Sequence, residues 1–342
     1  MKLVQSVLGS AACLAMMSAC GGNSAPPETA GATSENTAAA VSPSAAPVAS
    51  AAPVDPNVTV VPPPKVEMPP APPVVLKYAG FSTPESVYFD EKNDRYLVSN
   101  INGAPFALDN NGYISELSPD GKVLREKWIA AGVANVTLNA PKGVAIAGGV
   151  LYVADVDHVR MFDAKSGAPK GAVAIKGATF LNDVAAGPDG KVYVSDTGVK
   201  GEKFEATGTD AVHVIEKGKS KVFFQSADLL KPNGLVANKK GVFVNTFGGA
   251  EVFRLDPKTG KQDIVKTPKG GLDGLAIVGE SVFASSWEGM SVYRANGGGV
   301  FEPILTGLKA PADFAIDTKR NRIIVPRFQD NIVEVYEIPA AK

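Results

Sequence analysis

The chain has 342 residues, with 34 Lys and Arg set against 35 Asp and Glu, and a formal net charge of −1. Acids and bases are interspersed and no polybasic block occurs, so neither nucleic acid nor an anionic membrane surface is an expected partner. There are two cysteines and two histidines, Cys13, Cys20, His158 and His213, too few and too scattered for a zinc site of known spacing.

The first elements in chain order are a leader and a tether. Lys2 precedes an apolar stretch from Leu3 through Met17 that ends in the small residues Ser18-Ala19-Cys20. It is shorter than the ~20 apolar residues that cross a bilayer and is diluted by Gln5, Ser6, Gly9 and Ser10, so it reads as a signal peptide, residues 1–19, and not as a span. Met17-Ser18-Ala19-Cys20 resembles the bacterial lipobox, which implies cleavage before Cys20 and lipid attachment at that thiol. Cys13 would leave with the leader, so the folded part has no thiol for disulfides or cysteine chemistry. Gly21 after the cysteine, where Asp would suggest inner-membrane retention, points to the outer membrane. The expected address is the bacterial cell envelope, lipid-anchored and facing the periplasm or the surface.

Residues 20–75 are rich in Ala, Pro, Ser, Thr and Val, hold half of the chain's 26 prolines, and precede the first aromatic residue, Tyr78. Such a segment buries too little apolar area to offset its conformational entropy, so a disordered linker is expected. It would span about 40 Å as a flexible coil and up to about 170 Å as polyproline II. The membrane is therefore expected as a partner through the lipid anchor alone.

Residues 76–342, about 44 per blade, carry one phrase six times. The copies begin Pro84-Glu85-Ser86-Val87, Pro141-Lys142-Gly143-Val144, Leu181-Asn182-Asp183-Val184, Pro232-Asn233-Gly234-Leu235, Leu272-Asp273-Gly274-Leu275 and Pro311-Ala312-Asp313-Phe314. Each precedes a β-rich run such as Tyr96-Leu97-Val98-Ser99 or Val192-Tyr193-Val194-Ser195. Repeats of this length, each holding several short strands, are the signature of propeller blades, and six copies predict an all-β, six-bladed β-propeller. The alternating strand 331–338 belongs to the sixth blade, and 74–78 is a candidate for the strand that completes it.

The innermost strand of each blade lines the central channel, so the second residues of the phrases should face one another: Glu85, Lys142, Asn182, Asn233, Asp273 and Ala312. A ring of side-chain oxygens suits a hard cation. Asn and Asp before a strand also bond nearby backbone, and a wet channel tolerates polar residues, so spacing alone leaves both readings open.

These phrases, Pro232-Asn233-Gly234 and Leu272-Asp273-Gly274 with Pro84-Glu85 and Asn182-Asp183, resemble the metal-binding phrases of the gluconolactonase, senescence-marker-protein and luciferin-regenerating-enzyme-like family. The resemblance implies one divalent cation at the channel mouth, calcium foremost, with Mg²⁺, Mn²⁺ or Zn²⁺ as substitutes. It implies Glu85, Asn233 and Asp273 as ligands, Asn182 as a further ligand or substrate contact, and Asp273 also as general base in lactone or ester hydrolysis. Glu85 lacks the flanking glycines of that pattern. Phe180 stands where sugar-lactone members often carry Arg, and Lys142 adds a cation to the ring. A more apolar or anionic small-molecule ligand is therefore expected.

Polar or aromatic residues end the strand after each phrase: Asn100, Asp155, Asp196, Thr246, Trp287 and Arg327. Trp287 and Arg327 are candidate ligand contacts at the rim, with Lys142 and Phe180, whereas Asp155 and Asp196 read as turn residues. Residues 198–211 read as a plain surface insertion. No Gly-x-Ser-x-Gly elbow, Walker loop or dinucleotide fingerprint occurs. The expectation is a monomeric envelope lipoprotein acting as a metal-dependent lactonase or esterase. The alternative is a non-catalytic propeller that holds a small ligand or an envelope partner.

Overall fold

A computed structural model describes residues 72–340; the leader, Cys20 and the linker as far as residue 71 lie outside them. The described chain forms six four-stranded antiparallel sheets arranged as blades, one further two-stranded hairpin, and a single turn of 3₁₀ helix at Ala227–Leu229.

Strand β1 (Val74–Ala79) comes first and is used last. Blade one is β2 (Pro84–Asp90), β3 (Arg95–Asn100), β4 (Tyr113–Leu117) and β5 (Val123–Ala130). Blade two is β6 (Pro141–Ala147), β7 (Val150–Asp155), β8 (His158–Asp163) and β9 (Pro169–Ala174). Blade three starts with β10 (Leu181–Ala186) and β11 (Val192–Asp196). The hairpin β12 (Val199–Lys200) and β13 (Glu205–Ala206) is inserted next, and the blade resumes with β14 (Ala211–Glu216) and β15 (Lys219–Gln225). Blade four is β16 (Pro232–Asn238), β17 (Gly241–Thr246), β18 (Glu251–Asp256) and β19 (Gly260–Lys266). Blade five is β20 (Leu272–Val278), β21 (Ser281–Ser286), β22 (Ser291–Asn296) and β23 (Glu302–Leu305). Blade six is β24 (Ala315–Asp317), β25 (Arg322–Arg327) and β26 (Ile332–Glu337), with β1 paired antiparallel to β26 as its fourth strand. The ring thus closes with a strand from the opposite end of the domain.

The sequence pattern explains the layering. β3, β11 and their counterparts carry short apolar runs such as Tyr96-Leu97-Val98 and Val192-Tyr193-Val194 because both faces are covered by neighbouring blades, and every residue of β3 and β11 is buried. Outer strands such as β5 (Val123-Leu124-Arg125-Glu126-Lys127) are largely exposed. The core is correspondingly divided into slabs between adjacent blades. Leu97 and Ile114 of blade one pack with Val144, Leu151 and Val153 of blade two. Tyr96 and Val98 pack with Tyr78, Ile324, Val333 and Val335 of blade six.

The repeated phrase is where the inner strand leaves its ladder. In blades two to five the first residue pairs with the end of the next strand, and the register then jumps to the fourth residue, as between Leu181 and Val184 or Leu272 and Leu275. The skipped residues bulge toward the axis, which is how the second position comes to face the channel. Side chains from the neighbouring strand satisfy the amides that the bulge frees. Asp183 N–H donates to Ser195 Oγ at 2.9 Å, Gly234 N–H to Asn245 Oδ1 at 2.8 Å and Gly274 N–H to Ser285 Oγ at 2.7 Å. The same groups reach the next blade, Ser195 Oγ donating to Asn233 O at 2.7 Å and Ser285 Oγ to Ala312 O at 3.0 Å. With Asn245 Nδ2 donating to Asp273 O at 2.9 Å, the bulges of blades three to six are tied one to the next.

Candidate functional site

One end of the channel is a narrow cavity of about 40 Å³ with a polar floor and aromatic walls. Glu85, Lys142, Asn182, Asn233 and Asp273, from the bulges of blades one to five, form the floor. Ile101, Thr197, Phe247, Trp287 and Phe328 stand around them with Phe180, Phe204 and Pro105. The fourth residues of the phrases, including Val87, Val144, Val184, Leu235, Leu275 and Phe314, line a separate and largely apolar opening at the other end of the axis.

Three buried oxygens of the floor have no hydrogen-bond partner: Glu85 Oε2, Asn182 Oδ1 and Asp273 Oδ1. Their orientation is built. Thr197 Oγ1 gives its one proton to Pro232 O at 2.9 Å, so it can only accept from Asn182 Nδ2, at 3.1 Å, and the amide oxygen is left free. Trp287 Nε1 donates to Asp273 Oδ2 at 2.8 Å and thereby leaves Oδ1 unclaimed. Buried polar atoms are nearly always paired, so three unpaired oxygens meeting in one cavity call for a partner.

Electrostatics point the same way. Burial first, and then the charges of Asp273 and Asp313, push the Glu85 carboxyl well above the usual carboxylate range. Asp273 and Asp183 are raised for the same reasons, burial leading and Asp313 second. Asp313, one residue below the floor and hydrogen-bonded by Ser86 Oγ, is raised to about 7 by burial. The Lys142 ammonium is lowered to about 8 by burial against the pull of Glu85 and Asp155. It donates to Ala140 O at 3.0 Å and lies 4.3 Å from the centre of the Phe180 ring. Four crowded carboxyls with one ammonium are short of positive charge.

The cavity brings together Glu85, Lys142, Phe180, Asn182, Asn233, Asp273 and Trp287, all singled out from sequence, and omits Arg327. The Arg327 guanidinium is held by Glu334 and Asp330, both at 2.7 Å, and by Lys309 O. The next residue, Phe328, lines the cavity in its place. The offset recurs around the ring. Strand ends pair with the first residue of the phrase, as Asp155 with Pro141 and Asp196 with Leu181, and brace the loop backbone. Asp155 accepts from Ala140 N at 2.8 Å, and Asp196 from Phe180 N at 2.9 Å. In blade five that strand-end position belongs to Ser286, and Trp287 lies one beyond it. One residue beyond the strand end, Ile101, Thr197, Phe247, Trp287 and Phe328 supply most of the wall, while Val156, the blade-two member of the series, packs with Ile101 and Ala140 instead. The mostly apolar character of the series, where a turn would ordinarily be polar, is the signal that sequence reading missed.

The insertion of blade three also belongs to the site. Hairpin β12–β13 puts Phe204 against Phe106, Phe180 and Phe247, with ring centres 5.2, 5.9 and 6.2 Å away. Phe247 in turn touches Trp287 at 5.6 Å, and Trp287 touches Phe328 at 5.2 Å.

No family model and no curated protein matches the sequence. Solved structures match it in fold. The chain is similar to a gluconolactonase from Xanthomonas campestris, with TM-score 0.57 and 17% identity over 77% of this chain and 88% of that one. It is similar to a luciferin-regenerating enzyme, with TM-score 0.55 and 14% identity over 76% and 93% of the two chains. It also resembles virginiamycin B lyase from Staphylococcus aureus, with TM-score 0.54 and 14% identity over 77% and 99%. At these identities the likeness is one of fold: the chain folds as a gluconolactonase-like six-bladed propeller.

Proposed function

We propose that this propeller is a hydrolase of lactones or related esters that holds one divalent cation, calcium foremost, on Glu85, Asn182, Asn233 and Asp273. The observation that carries the reading is the convergence of three unpartnered buried oxygens on one cavity. Among the described residues no group of three or more His, Cys, Asp or Glu is placed to hold a metal, so this donor set relies on amide oxygens beside two carboxylates. Such a set suits a hard cation that keeps some positions for water or substrate.

When bound, the cation would polarise the acyl carbonyl as a Lewis acid. The chain's own residues supply the rest. Trp287 orients Asp273 through Oδ2, and the Asp273 carboxylate takes a proton from water as the water oxygen bonds to the acyl carbon. The ester C–O bond then breaks and the leaving oxygen recovers that proton from Asp273. Lys142 engages one carbonyl, Ala140 O, and its remaining N–H groups are available to a ligand oxygen. The collar of rings keeps bulk water from the floor.

We place the protein in the bacterial envelope, as a monomer anchored through an acylated Cys20. The leader, the lipobox-like Met17-Ser18-Ala19-Cys20 and the Pro-rich linker support that address. A second reading, a propeller that binds a small ligand without chemistry, is favoured by Lys142, whose ammonium stands next to Glu85 and competes with a cation.

The test pairs elemental analysis and metal-dependent melting with activity on a panel of lactones. Calcium or its preferred substitute at a hundredfold excess over its dissociation constant should stabilise the domain by about 2.7 kcal/mol. A wild type that purifies without metal and shows no shift with any of the four cations would remove the basis of the hydrolase reading. Metal binding without turnover would leave the binding propeller.

A further inference from the structure

Six aromatic rings from five blades stand over the polar floor: Phe106, Phe180, Phe204, Phe247, Trp287 and Phe328. Consecutive rings touch with centres 4.5 to 6.2 Å apart, and most pairs are tilted or edge-on. Only Phe180 is fully buried; the others are half-buried, so the collar is a surface and not core. The cavity beneath has room for a few waters at the ~10–15 Å³ each requires, and a lactone ring does not fit unless a ring moves.

Phe204 is the ring placed to move. It sits on the hairpin inserted into blade three, makes three of the collar's contacts, and bridges Phe180 to Phe247. Its backbone is in the left-handed region at φ 51°, a strained conformation for an aromatic residue. The hairpin is flanked by Gly198 and Gly208, both at positive φ. Its base is fixed by a cluster of hydroxyls, Thr179, Thr207 and Thr209, within 2.9 to 3.0 Å of one another.

We propose that the site takes a ligand with a flat apolar body, an aryl or fused-ring ester or lactone, that stacks in this collar after the β12–β13 hairpin lifts Phe204. The proposal deepens the hydrolase reading and rests on it for the ester head group. The body lies among the rings, and its carbonyl reaches the floor oxygens and Lys142. A polyhydroxylated sugar lactone would strand its hydroxyls against apolar faces.

The experiment uses two ketones that cannot be hydrolysed, 2-tetralone and cyclohexanone, which share the carbonyl and differ in the aryl ring. Titration calorimetry on the calcium-loaded protein should show 2-tetralone bound at least about tenfold more tightly. Phe204→Leu, which keeps apolar volume but loses the ring, should cut that preference to about threefold, and Phe204→Ala should cut it further. Stopped-flow quenching of tryptophan fluorescence should give rates that saturate with probe concentration in the wild type and rise linearly in Phe204→Ala. Equal affinity for the two ketones, or linear rates in both proteins, overturns the proposal. If 2-tetralone binds as described and no lactone is turned over, the collar stands and the hydrolase reading falls. If glucono-δ-lactone is turned over and 2-tetralone does not bind, the reverse holds.

Discussion

Trp287 and Thr197 decide which floor oxygens are free, so their neighbours report on the site one by one. Asp273→Ala removes a donor and the base together, and should abolish both the calcium-induced rise in melting temperature and turnover. Asp273→Asn keeps an oxygen but cannot take a proton, so turnover should fall about 10²–10⁴-fold while part of the calcium response survives. Turnover that survives in Asp273→Asn would show that Asp273 does not act as a base. The raised carboxyls make a second, independent prediction. A folded-state pKa above the unfolded value means that the folded chain keeps a proton the unfolded chain has released, so stability falls as pH rises across that window. For Asp313 the window runs from 3.8 to about 7. Lys142, shifted down to about 8 from 10.5, acts in the opposite sense and only above that range. In chelator the melting temperature should therefore drop between pH 5 and pH 7. Added calcium should offset more of that drop at pH 7 than at pH 5, because protons compete for the same oxygens. A chelated protein that becomes more stable from pH 5 to pH 7 would contradict the crowding of carboxyls at the axis.

At the scale of the element, the bulged phrase needs a small third residue wherever the next inner strand comes close. A Cβ on Gly234 would sit 2.4 Å from Asp273 O and 2.9 Å from Leu275 N, both backbone atoms that cannot swing away. Gly234→Ala should thus cost about 1–3 kcal/mol by urea unfolding and weaken calcium binding as blades four and five part. A neutral substitution would mean that the inner strands slide freely. The same phrase explains what could be read in advance. Its repetition exposes the blade count, because each copy is both a strand start and a bulge, and the polar second positions mark the floor. The wall was less legible. A one-residue change of register turns a side chain from the channel to the blade, so Arg327 reads from sequence as a rim residue but lies on the strand and bonds Glu334, and Phe328, just past it, faces the cavity. Residues 198–211 read as a plain insertion because the contact that gives the hairpin its place, Phe204 against Phe106 and Phe247, joins loops far apart in sequence.

On the scale of the whole molecule, β1 separates what belongs to the domain from what leads to it. Tyr78 and Leu76 pack with Val333, Val335 and Leu117, and Tyr78 Oη donates to Ser118 O at 2.7 Å. Deleting residues 22–70 should leave the melting temperature unchanged, whereas deleting 22–80 should cost at least about 3–5 kcal/mol, the scale of losing one large buried aromatic. If the shorter deletion also lowers the melting temperature by several degrees, the tether is part of the fold. Cys20→Ser should release the protein into the soluble periplasmic fraction or block its processing; a processed variant still bound at wild-type levels would refute the acyl anchor. The closure of blade six also sets a timetable. β1 is among the first parts of the domain to leave the ribosome, and its partner β26 follows about 250 residues later. At about 5–20 residues per second that is a wait of about 10–50 s, during which β1 has no ladder and the growing ring has an open edge. Ribosome-bound chains halted before Asn331 should remain open to protease at the unclosed edge, and protection should arrive only once Ile332–Glu337 has left the ribosome and paired with β1.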